Sequence, residues 1–281
     1  MTDSGSVRWH LSGFGDEIDA DPVVQAAVLQ ALGANHIEVR SAWDTNVVEM
    51  TAEQLNALAA VFADKNLTVS AVASPVGKVD VALPVEHEVE RLGRAIAAAR
   101  ILGTRYIRIF SFYHPDREAE SVREDVMVRM RALADAAEEA DVILLHENEK
   151  DIYGDIPSRV LEIIETVDSP ALKVAWDAAN FVQVGVAPFD DAYALLRPHL
   201  EYLQVKDAHF SDASVCPAGE GDGQVQRTVE ALSDSGYTGF ASLEPHLTGA
   251  FGLGGFSGPA AFGVAARAFA RVTEKAGVQL V

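Results

Sequence analysis

Val142-Ile-Leu-Leu-His-Glu147-Asn-Glu149 and Leu172-Lys-Val-Ala-Trp-Asp177-Ala-Ala-Asn180 are two versions of one pattern, a short apolar run that ends in acid and amide. Between them, Val160 to Val167 carries apolar residues at helical spacing. A strand, a helix and a second strand in that order make a parallel pair joined by a right-handed crossover. Working outward, strand candidates precede this unit at 9–14, 36–40, 67–74 and 106–111, and follow it at 202–206 and 240–244; the unit itself supplies 142–147 and 172–177. Helical spacing recurs from Val23 to Leu32, Leu55 to Phe62, Leu92 to Ile101, Val126 to Ala137 and Val264 to Val272.

Eight such units of about 30 residues fill nearly the whole of the 281-residue chain and predict an α/β fold, a single (β/α)₈ barrel spanning 1–281. The competing open sheet announces itself by G-x-G-x-x-G after its first strand, and Gly13-Phe-Gly15-Asp-Glu does not continue that way. No Pro/Ser linker or compositional step marks a second domain. The Gly-rich stretch 248–259, past the last strand, is expected to be a long loop, either a lid or a flexible connection.

The chain carries a net charge of −20, which argues against nucleic acid and anionic membrane as partners. No apolar run is long enough for a transmembrane helix, and the first residues lack a signal-peptide pattern. The lone Cys216 leaves no intrachain disulfide. A cytoplasmic location is the resulting expectation.

In a barrel of this kind the site forms where the strands end. Glu147, Asp177, Gln204 and Glu244 close four successive strand candidates, and at equivalent depths they would converge. A carboxylate at the end of an apolar strand is costly to desolvate. A divalent cation offsets that cost, and an all-oxygen donor set favours Mn²⁺ or Mg²⁺, with Co²⁺ or Zn²⁺ as alternatives. Taken singly, each acid has a simpler reading as a helix N-cap or surface group. Lys206 and His246 share the parity of Gln204 and Glu244, so both are candidates for substrate contact together with Asn180, Lys78 and Arg108. Ion pairing with the many acids is the competing role for Arg40, Lys78 and Arg108. Trp43, Phe112, Tyr113 and Phe181 are candidates for an apolar wall, or for core.

The motifs His146-Glu-Asn148, Tyr153-Gly-Asp155, Trp176-Asp-Ala-Ala-Asn-Phe181, Gln204-Val-Lys-Asp-Ala208, Gly219-Glu-Gly221 and Leu243-Glu-Pro245 resemble those of the xylose-isomerase-like sugar isomerase/epimerase family. That family of metal-dependent barrels includes ketose 3-epimerases, inosose isomerases and dehydratases, and AP endonucleases. The resemblance implies one metal held by Glu, Asp, His and Glu from strands five to eight, with Glu147, Asp177 and Glu244 on three of the positions. Gln204 stands where relatives carry His, which shifts the expectation from zinc toward manganese or magnesium. His209 is a less suitable substitute. The extra histidines of the endonuclease branch are missing, Asn180 standing at one of those positions, so DNA repair is not expected.

The resemblance also implies paired proton transfer by Glu147 and Glu244. A metal-stabilised enediolate of a small carbohydrate would serve an isomerase or epimerase. The same intermediate would serve a lyase, such as a dehydratase or a keto-glycoside-cleaving enzyme. A non-catalytic partner subunit is the third class. A dimer or tetramer is a further expectation from the family.

Overall fold

The computed structural model describes residues 7–251 and 254–281. Eight strands, β1 (Val7–Gly13), β2 (His36–Val39), β3 (Thr68–Ala73), β4 (Tyr106–Ile109), β5 (Ile143–Glu147), β6 (Leu172–Asp177), β7 (Leu200–Val205) and β8 (Phe240–Leu243), lie within two residues of the expected bounds. They run β2-β3-β4-β5-β6-β7-β8-β1 around one parallel sheet, and β9 (Val278–Leu280) adds a short ninth strand beyond β1. A bridge from Phe14 to Glu38 joins the end of β1 to β2 and closes the ring. The fold is the expected (β/α)₈ barrel.

The outer helices are α1 (Pro22–Ala31), α2 (Ala52–Asp64), α3 (Val85–Leu102), α4 (Ala119–Ala140), α5 (Pro157–Val167), α6 (Ala178–Gln183), α7 (Val225–Asp234) and α8 (Gly258–Lys275). Their ends follow local chemistry. Asp21 caps α1 ahead of Pro22 at the first turn, and Thr51 with Gln54 forms a capping box on α2. Gly103, at φ 76°, ends α3. Two segments did not stand out in the sequence. One is the β6–β7 crossover, divided into α6, a π-helical turn Pro188–Tyr193 and the single turn Ala194–Leu196. The other is α7, which buries only Val225, Thr228, Val229 and Leu232.

The stretch 248–259 is not the loop expected from its glycines. Gly249–Phe251 pairs antiparallel with Gly254–Phe256, and α8 begins at Gly258. Residues 252 and 253 lie outside the described residues.

Inside the ring the filling changes along the barrel axis. At the N-terminal end His10, His36, Tyr106, Tyr202 and Phe240 pack ring against ring. Above them Ser12 Oγ lies 2.7 Å from Ser70 Oγ, Ser70 Oγ lies 2.9 Å from the Tyr202 hydroxyl, and that hydroxyl donates to Glu38 at 3.0 Å. Burial raises the Glu38 carboxyl to about 7. The mouth lies beyond this polar layer. The strand ends are staggered there, not level: Gln204 pairs with Asp177 and Ser242, while Glu147 pairs with Ala175.

After β7 the chain is fastened by one carboxylate. Asp207 accepts from the backbone N–H groups of Gly219 (2.9 Å), Gly221 (3.1 Å), Gly223 (2.8 Å) and Ala208 (2.8 Å). A Cβ at Gly221 or Gly223 would lie 2.6 or 2.5 Å from its Oδ1, so the glycines let the backbone close around the acid. Removing the carboxylate strands several buried donors, each hydrogen bond to a charged group contributing about 1.5–3 kcal/mol. Asp207→Ala is therefore expected to lower the unfolding free energy by about 3 kcal/mol or more in urea titrations. A loss below about 1 kcal/mol would mean that the loop is ordered by other contacts.

Candidate active site

The strand-end acids meet at the mouth. Glu147, Asp177 and Glu244 are all buried, and each offers an oxygen within 4.8 Å of the other two. Asp177 divides its carboxylate. Oδ1 accepts from the Asn180 N–H at 2.9 Å and so caps α6, and Oδ2 lies 2.9 Å from Lys206 Nζ. The N-cap role weighed against a ligand role thus occupies one oxygen and leaves the other facing the site. Lys206 Nζ is also 3.2 Å from Glu244 Oε2.

Gln204 lies beside them, its amide between two acids. In one orientation its nitrogen donates to Glu38 at 3.5 Å and its oxygen faces Glu147. With the amide turned over, the nitrogen donates to both Glu147 oxygens, at 2.9 and 3.1 Å. His209 does not take its place: the side chain is largely exposed, 4.0 Å from Asp222.

Cations enter from the other side of the barrel. Arg108 Nη1 is 3.1 Å from Glu147 Oε2 and 3.6 Å from Glu244 Oε1. Arg40 holds Asp16 through Nε at 2.7 Å and Glu244 through Nη1 at 3.2 Å, and donates to the Gly255 carbonyl at 2.9 Å. Lys78 pairs with Glu149 at 3.0 Å. Phe14 lies under both guanidinium groups, and Phe110 under Arg108 and Lys78. Gly77, at φ 84°, lets the chain pass Phe110; a Cβ there would be 2.1 Å from the Phe110 carbonyl oxygen.

Arg40, Lys78, Arg108, Lys206 and His246 face Glu147, Glu149 and Glu244 around a cavity of about 80 Å³. Of the expected substrate contacts, Lys78, Arg108, Lys206 and His246 line it. Asn180 does not. It lies beneath, donating to Glu147 Oε1 at 3.0 Å and to the Asn148 carbonyl at 2.9 Å. The Asn148 side chain in turn exchanges two hydrogen bonds with the Asp177 backbone, at 2.9 and 3.0 Å. His146 has no partner for either ring nitrogen among the described residues, and burial lowers it to about 3. It therefore packs, while Asn148 braces.

Trp43, Phe112, Tyr113 and Phe181, candidates for an apolar wall or for core, do not line the cavity. Phe112 and Phe181 belong to the core between barrel and helices, and Trp43 is exposed. Three residues near the site had no assigned role in the sequence. Glu149 shares the parity of Glu147, a signal that was available. Asp16 and Glu17 follow β1, and only tertiary contact shows their use. His246 Nε2 is 3.1 Å from Glu17 Oε1 and 3.4 Å from Glu244 Oε1.

Electrostatics separates the acids. Burial raises Glu147 to about 8 against the pull of Arg108, and raises Asp177 to about 6 against Lys206. Glu17 rises to about 8 through burial and the charge of Glu244. Glu244 pays the same desolvation, but Lys206 and His246 overcome it and hold its carboxyl well below the usual range. Three clustered, dehydrated carboxylates match the hard donors that Mg²⁺ or Mn²⁺ selects, and the Gln204 amide adds an oxygen only in the orientation that turns it toward Glu147. These residues fit a divalent ion.

The profile of the family described as xylose isomerase-like TIM barrel matches residues 26–271. A 3-dehydroshikimate dehydratase of Bacillus anthracis is 23% identical over 167 residues, covering 58% of this chain and 57% of the relative. The match thus spans less than two thirds of that relative. Among solved structures, a D-tagatose 3-epimerase-like protein superposes with a TM-score of 0.75 at 17% identity, over 95% of this chain and 99% of its own. A xylose isomerase-like barrel protein from Mycobacterium smegmatis, in complex with magnesium, gives 0.68 at 17% identity over 95% and 97%. With the barrel, its acidic mouth and the profile match in agreement, this chain belongs to the xylose isomerase-like TIM barrel family.

Proposed function

We propose that this protein is a divalent-metal-dependent isomerase or epimerase of a small sugar, sugar phosphate or polyol ketone. One observation carries the reading: Glu147 and Glu244, both buried, face one cavity on either side of a single guanidinium nitrogen of Arg108. Two such carboxylates suit removal of a proton from a C–H beside a ketone and its return elsewhere.

Glu147, Asp177 and Glu244, with the Gln204 amide oxygen as fourth donor, would hold the ion. Bound there, it supplies Lewis-acid polarisation of a carbonyl and its neighbouring hydroxyl. One glutamate takes the proton; the other delivers it on the opposite face or at the adjacent carbon. Arg108 and Lys206 supply positive charge where negative charge builds on the substrate oxygens. Asn180 and Asn148 brace Glu147 and Asp177 from below. A lyase using the same enolate is the second reading. It is supported by the dehydratase relative and by His246, which lines the cavity with Nε2 3.4 Å from Glu244 Oε1, where it would meet a departing hydroxyl.

A panel of ketoses, inososes and keto-sugars in deuterated water tests the proposal. Deuterium should enter the carbon beside the carbonyl, stop with chelator and resume with Mn²⁺ or Mg²⁺. An ultraviolet-absorbing enone would indicate the lyase instead. Glu147→Gln and Glu244→Gln should each slow exchange by about 10²–10⁴-fold at matched metal occupancy. Wild-type exchange in either metal-loaded variant would rule out the two-glutamate mechanism.

Gln204→His makes a separate test of the fourth ligand. Imidazole is the better zinc donor, so metal titrations should show zinc affinity rising relative to manganese. An unchanged preference would remove Gln204 from the ligand set.

A further inference from the structure

Lys206 extends from the end of β7 into the carboxylate cluster, and its side chain is almost completely buried. Its ammonium lies 2.9 Å from Asp177 Oδ2 and 3.2 Å from Glu244 Oε2, so it touches two of the three acids that converge at the mouth. The third, Glu147, is neutralised separately by Arg108 at 3.1 Å. Lys206 is thus the cation that Asp177 and Glu244 share, Glu244 being reached also by Arg40 at 3.2 Å and Arg108 at 3.6 Å.

A divalent ion bound by the same acids would stand beside this ammonium. Mg²⁺ takes oxygens at about 2.0–2.1 Å in a nearly octahedral shell. The ammonium occupies lone pairs of Asp177 Oδ2 and Glu244 Oε2 that the ion would take, and two cations in one water-poor site repel steeply. The cavity offers the lysine another place. Lys206 already lines it, and Glu149, paired with Lys78 at 3.0 Å, sits on the same wall.

We propose that Lys206 and the divalent ion exchange at the Asp177–Glu244 pair, so that metal loading moves the Lys206 ammonium into the cavity, where it becomes a substrate-positioning group. The inference rests on the metal-dependent reading above. It adds that metal and substrate binding are coupled through one side chain, because the ion frees the cation that meets the substrate oxygens.

Isothermal titration with Mn²⁺ alone tests the exchange without a substrate. Lys206→Met, freed of the competing charge, should bind Mn²⁺ at least tenfold more tightly than the wild type. Equal or weaker binding overturns the exchange. A wild type that binds no Mn²⁺ overturns the metal reading instead, so the two failures are distinct. A second measurement uses the wild type only and does not depend on the variant folding. Acetylation of Lys206 by acetic anhydride, read by peptide mass spectrometry, should rise severalfold when Mn²⁺ replaces chelator. Labelling that stays level or falls on Mn²⁺ addition means that the lysine does not leave the carboxylates.

Discussion

Glu147, Asp177 and Glu244 are held within 4.8 Å of one another in a mouth that excludes most water, and the rest of the site is arranged around their repulsion. Removing one carboxylate from water costs several kcal/mol even after relaxation, so three together are tolerable only where positive charge and donors are brought to them. Lys206 answers Asp177 and Glu244, Arg108 answers Glu147, and Arg40 reaches Glu244 from β2. Breaking one pair of such a network typically costs about 3–5 kcal/mol, because the remaining charge is stranded. The network therefore links β4, and the residues that follow β2 and β7, to β5, β6 and the residue after β8 across the barrel.

The charges also divide the mouth. Arg40, Lys78 and Arg108 come from the β2–β4 side, and Glu147, Asp177, Gln204 and Glu244 from β5 to β8. Phe14 and Phe110 lie beneath the cations at 4.1 to 5.3 Å and limit their freedom without neutralising them. The cavity is lined by Arg40, Lys78 and Arg108 on one side and by acids together with Lys206 and His246 on the other. Charge, not aromatic surface, makes up most of this lining, and Phe112 and Phe181 pack into the core instead.

Beneath the charged layer, amides and backbone groups set positions. Asn148 binds both backbone groups of Asp177, and Asn180 reaches Glu147 from the first turn of α6. The dual use of Asp177, as helix cap and as site acid, links the start of α6 to the electrostatics of the mouth. Asp207 performs a purely structural task one strand farther on. Its neighbour Lys206 enters the site, whereas Asp207 turns outward to gather the glycine-rich loop.

The eight-fold alternation, the strand bounds and the acids at the strand ends were legible in the sequence, because periodicity and local chemistry are properties of neighbouring residues. So was the parity that brought Gln204 and Lys206 to the same side. The role of Asn180 was not legible, since only the register of β5 against β6 places it under Glu147. The hairpin at 249–256 was hidden by a glycine content that suits a loop equally well, and α7 by having too few apolar positions. Partnerships such as Arg40 with Asp16 and Glu244, or His246 with Glu17, join residues from 24 to 229 positions apart. Barrel closure decides those, because the energy of a charge depends on which distant group desolvates or neutralises it, and sequence order does not record that distance.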